Sequence, residues 1–125
     1  MLYTSYLAKL NKIPDDAIKI LITQWKGIID IDKYNLIWKP ELSPDSLHLW
    51  KNNSMTKGEM FEKFKEQLEC KPSSDAINEI IKYLEEDKDV YLICYCKELC
   101  ECHRRLVALY INEKYNIEWK EYKGE

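Results

Sequence analysis

Apolar and polar positions along the chain follow two periods, and the change from one to the other marks its elements. Residues 2–7 and 18–23 are short runs dominated by β-branched and aromatic side chains, and they read as strands. Between them Asn11-Lys12-Ile13-Pro14-Asp15-Asp16 carries turn chemistry, because proline fixes φ and Asn and Asp side chains bond to nearby backbone. Thr56-x-x-Glu59 then has the form of a capping box, and Met60, Phe61, Phe64 and Leu68 follow on one face of a predicted helix over 56–68. Pro72-Ser73-Ser74-Asp75 opens a second helix to residue 86, with Ile77, Ile80, Ile81 and Leu84 as its apolar stripe. Residues 89–95 are nearly free of charge, which suits a strand covered on both faces. From His103 onward Leu106, Val107, Leu109, Tyr110 and Ile111 recur at helical spacing, and residues 117–122 alternate as a half-exposed strand does. Strands separated by helices predict an α/β fold with a mostly parallel sheet and flanking helices, since parallel neighbours need a crossover between them.

One long stretch, residues 24–53, keeps no period at all. It holds Trp25, Trp38 and Trp50 with Pro40 and Pro44, and is expected to be a lid, a binding loop or a partly structured excursion. Its tryptophans either pin it to the body or, at Trp25 or Trp38, wall a ligand pocket. His48 lies in the same stretch without a partner that the sequence can name.

A length of 125 residues predicts one domain, 1–125, with a single core. Apolar residues make up 46% and charged ones 33%, so a folded rather than a disordered chain is expected. The formal net charge of −3, with acids and bases interspersed, argues against general nucleic-acid binding and against attachment to a membrane surface. No window of eighteen apolar residues and no basic leader are present, which points to the cytoplasm and away from a membrane span. In that setting the five cysteines are expected to be reduced thiols, metal ligands or a nucleophile before structural disulfides. Exposed Trp and Tyr would suit an oligomer interface.

The chemistry concentrates between Val90 and Arg105, where a buried strand gives way to a helix. In open α/β sheets ligands settle at such carboxyl ends, and the unpaired N–H groups of a helix start favour an anion. Cys94, Cys96, Cys100, Cys102 and His103 fall within ten residues, which invites a zinc reading. Their Cys-x-Cys spacing departs from the usual paired Cys-x-x-Cys, and no second cluster completes a site, so no metal is assigned and a zinc-stabilised domain stays an alternative. Cys102 precedes His103-Arg104-Arg105 at the helix start, where dipole and cations would favour a thiolate, so it is the candidate reactive thiol. No arginine follows a cysteine at the spacing of a phosphatase loop. With glycine only at Gly27, Gly58 and Gly124 there is no Gly-rich phosphate loop either, and no cofactor can be named.

Leu92-Ile93-Cys94, then Cys102-His103-Arg104 and an apolar helix, resembles the C-terminal signature, C-x7-C-H-R, of the domain of unknown function 488 family. Tyr3-Thr4-Ser5-Tyr6 with Lys9-Leu10, ahead of a strand near Ile18, resembles that family's opening segment. The resemblance implies a Rossmann-like α/β domain with a site at this crossover and no assigned reaction. Cys94, Cys102, His103 and Arg104 fall on family positions, and Cys100 has no counterpart there. Read together, the residues predict binding of a small anionic, nucleotide-derived ligand. Arg104 would fork onto a phosphate, with Arg105 beside it, His103 would serve as acid/base or second donor, and Cys102 would supply the thiol. Thr4 and Ser5 would orient the ligand if the first strand lies beside the Cys94 strand. Transferase or hydrolase chemistry, or sequestration of a nucleotide signal without turnover, both fit. The bland alternative is that Arg104 pairs with an acid such as Glu98 or Glu101 and that Arg105 is merely solvated.

Overall fold

The computed structural model describes residues 1–24, 27, 29–44, 56–95 and 103–123. Five strands, β1 (Leu2–Tyr6), β2 (Ile18–Leu21), β3 (Leu36–Trp38), β4 (Val90–Cys94) and β5 (Trp119–Glu121), form one sheet in the order β3-β2-β4-β1-β5. Every pairing is parallel. Among the described residues three helices, α1 (Lys57–Leu68), α2 (Ser73–Glu85) and α3 (His103–Tyr115), complete a Rossmann-like α/β architecture, as the pattern of the chain predicts. No helix among the described residues is long and apolar enough to cross a membrane.

The order follows from handedness. Connections leaving β1 and β2 run toward the β3 edge, and those leaving β3 and β4 run toward the β5 edge. Right-handed crossovers in opposite directions must lie on opposite faces of the sheet. All three helices accordingly cover one face, where Phe64, Leu68, Ile77, Ile80, Val107 and Ile111 pack on Leu2, Ile20, Val90 and Leu92. The other face carries Leu21, Leu36, Tyr91 and Ile93 under Leu10 and Ile13. Every residue of β4 is buried, as expected of a central strand with both faces covered.

Local chemistry sets the ends of the elements. Thr56 caps α1 by accepting from the Glu59 N–H at 3.1 Å, one half of the predicted capping box, while the Glu59 carboxylate takes the Thr56 hydroxyl, also at 3.1 Å, where the full box would take the Thr56 backbone N–H. Asn35 (φ 55°), Asp87 (φ 61°) and Asn116 (φ 55°) take left-handed backbone just ahead of β3, β4 and β5, a conformation that Asn and Asp tolerate.

One expectation needs correction. The first strand stops at Tyr6, because Leu7–Lys12 winds into a 3-10 helix that occupies the front of the predicted turn. The stretch 24–53 is, of the alternatives expected, a partly structured excursion where it is described: it contributes β3 and a 3-10 turn at Pro40–Leu42. Gln67 of α1 donates to the carbonyls of Glu41 and Ser43, and the Ser73 hydroxyl donates to that of Glu41 at 2.6 Å, so two helices hold this segment down.

Candidate functional site at the carboxyl end of the sheet

β2 and β4 are neighbours whose chains leave toward opposite edges. Their carboxyl ends are, by that divergence, the place where ligands bind in open parallel sheets. His103, the first residue of α3, reaches over to β2: Nε2 is hydrogen-bonded to the Ile22 carbonyl, one residue beyond the strand. A carbonyl can only accept, so Nε2 carries the proton and the ring's proton-accepting capacity resides on Nδ1. The ring is 5% exposed.

Arg104 sits one residue on and is fully buried. Its Nε donates to Glu121 Oε1 at 3.1 Å and its Nη2 to Oε2 at 2.7 Å, a two-pronged fork onto the carboxylate. Nη1 points to Cys94 Sγ at 2.9 Å, and the guanidinium lies 5.6 Å from the centre of the Tyr6 ring. Thr4 adds a third donor to Glu121, its hydroxyl 2.6 Å from Oε1. The register explains the meeting, since Thr4 on β1 stands opposite Glu121 on β5 and Tyr6 opposite Cys94 on β4.

β1 does lie beside β4, which brings Thr4 and Ser5 to the same end of the sheet as Arg104. Their hydroxyls are engaged with β5 instead of facing an open pocket, Ser5 donating to the Tyr122 carbonyl at 2.9 Å. The fork expected to hold a phosphate is likewise closed on Glu121, so Arg104 is a group that builds the site rather than one that reaches out of it. Arg105 differs: it is exposed, and no ion pair among the described residues involves it. Cys102 lies outside the described residues, as do Cys96, Cys100, Glu98, Glu101, His48, Trp25 and Trp50. Cys94 is disulfide-bonded, which corrects the expectation of reduced thiols at that position. Cys70 is a free, exposed cysteine. Among the described residues no group of three His, Cys, Asp or Glu side chains could hold a metal ion.

The residue that sequence reasoning missed is Glu121. In the run Ile117-Glu118-Trp119-Lys120-Glu121, the inward positions are Ile117, Trp119 and Glu121, the first two packing against the core. An acid therefore interrupts the apolar face of β5, and that break was the available signal.

No curated protein and no solved structure matches the chain. A family model described as the Active DUF488-N3 subclade matches residues 4–115, nearly the whole length. The chain, with its buried Arg104 and its His103 at the sheet's carboxyl end, belongs to the DUF488 family.

Proposed function

We propose that this chain binds a small anionic, nucleotide-derived ligand where β4 hands over to α3, and that it carries out group transfer or hydrolysis on it. The observation that supports this reading is the buried Arg104–Glu121 pair with Thr4 and Cys94 at the carboxyl end of the central strands. Burying two charges is expensive, and apolar side chains of similar size stabilise a fold as well or better. The pair's retention at the end of the sheet where ligands bind is what we read as the mark of a function. The roles divide by exposure. Arg104, Glu121 and Thr4 fix the start of α3, whose first-turn N–H groups and the exposed Arg105 meet the anion. His103, held as the Nε2–H form by Ile22, moves a proton, and Cys102 is the candidate thiol. That the matching subclade is described as active favours turnover over sequestration.

Calorimetric titration with nucleoside mono-, di- and triphosphates tests the reading. Arg105→Ala should weaken binding about ten-fold or more, the worth of one lost charge-assisted contact, and leave the melting temperature unchanged. Undiminished affinity in that variant removes the site from the start of α3. Recovery of the bound compound intact after long incubation identifies a sequestering protein instead of an enzyme.

A further inference from the structure

Among the described residues the exposed large apolar side chains are Met1, Trp38 and Tyr95, and Tyr95 is the most open of them at 46%. Met1 lies at the amino end of the sheet. Tyr95 immediately follows β4, and Trp38 closes β3, so both stand at the carboxyl end. Each is tied to the stretch that follows β2. Trp38 Nε1 donates to the Thr23 carbonyl at 2.9 Å. The Tyr95 hydroxyl rests against Gly27: a Cβ there would collide with the Tyr95 oxygen and come within 3.2 Å of Cζ. Gly27 also has φ of 63°, a backbone state that side chains with a Cβ rarely adopt, so its lack of a side chain answers two demands at once.

Tyr95 therefore runs from the end of β4 to the turn after β2, the same strand end at which His103 is bonded to the Ile22 carbonyl. An anchored ring has less freedom to lose when a flat partner settles on it. Heterocyclic bases stack on such rings whatever their hydrogen-bonding edge, because each has a π face.

We propose that Tyr95 is the stacking platform for the base of the ligand, so that the recognised class is nucleotides and not simple phosphates. The inference rests on the anion-binding reading above and adds the base to it. Gly27 acts through Tyr95 as a positioning residue.

Titration of the four ribonucleoside 5′-monophosphates and of ribose 5-phosphate, which lacks a base, reads the two readings separately. With the wild-type chain at least one nucleotide should bind about ten-fold tighter than ribose 5-phosphate, within the usual range for one stacked base. Tyr95→Ala should abolish that advantage and leave ribose 5-phosphate unaffected, and Tyr95→Phe should retain it. As Tyr95 is exposed, neither substitution threatens the fold. A nucleotide advantage that survives in Tyr95→Ala, or ribose 5-phosphate binding as tightly as every nucleotide, overturns the stacking role and leaves the anion site standing. If the wild-type chain binds none of these probes, both readings fall.

Discussion

At the scale of single residues the decisive fact is that Arg104 forks onto Glu121 largely out of water. Breaking such a pair from one side leaves an uncompensated buried charge, at a cost of about 3–5 kcal/mol. Replacing both partners with apolar groups of similar size is often nearly neutral. Arg104→Met and Glu121→Leu should therefore each lower the urea midpoint sharply, and the double variant should recover most of the loss. Additive losses across that cycle would mean the two side chains are not mutually dependent. That Thr4, Ser5, His103 and Arg104 lie near one end of the sheet was legible, since parallel strands and the start of a helix bring them there for topological reasons, but the partners that close on Thr4, Ser5 and Arg104 were not. Glu121 was not, because its relation to Thr4 is made across 117 residues by strand pairing. Sequence order left the neighbour of β1 open. The exposure that separates Arg105 from Arg104 is equally a matter of helix facing, and two adjacent arginines look alike until the helix is docked.

Elements were legible in proportion to their length. α1 and α2 span 12 and 13 residues, enough for the apolar stripe to repeat, and β4 announces itself by five consecutive buried positions. β3 has three residues, too few for any period, and owes its existence to pairing with β2. The local clue was Asn35 just before it, which takes the left-handed turn. Trp38, read either as a pin or as a pocket wall, is fixed through its indole N–H to the Thr23 carbonyl. Capping belongs to this scale as well. Thr56→Ala removes the acceptor for the Glu59 N–H, and should cost about 1 kcal/mol. The loss should appear first as faster amide exchange in the opening turn of α1, while exchange in β4 changes only with global stability. Equal acceleration in both would show that α1 does not fray on its own.

For the whole molecule the contrast is between the two faces of the sheet. One lies under three helices, whereas the other is covered by the 3-10 segment and the loop ahead of β3, with an aromatic cluster between β1, β4 and β5. There Tyr3 stacks on Tyr91 with ring centres 4.6 Å apart, and Tyr122 meets both edge-on. Burial, reinforced by Tyr3 and by Asp89, pushes the Tyr91 hydroxyl up to about 12. In the unfolded chain a tyrosine ionises near pH 10. The folded state thus holds a proton that the unfolded state gives up between those values, and the proton difference makes stability fall as pH rises. Below pH 10 the contribution is fully present, and it is lost progressively from about 10 through about 12. Tyr91→Phe keeps the stacked ring but has no proton to lose, so its melting temperature should decline less steeply than that of the wild type between pH 10 and 12. Lys39 and Lys114, raised by their hydrogen-bonded partners Glu79 and Glu69, slope the same way. Both are surface pairs, whose contributions salt screens. A decline that persists unchanged in Tyr91→Phe and disappears in high salt would assign the alkaline limit to those surface pairs, and the face that carries Tyr91 would then not be where the molecule first yields.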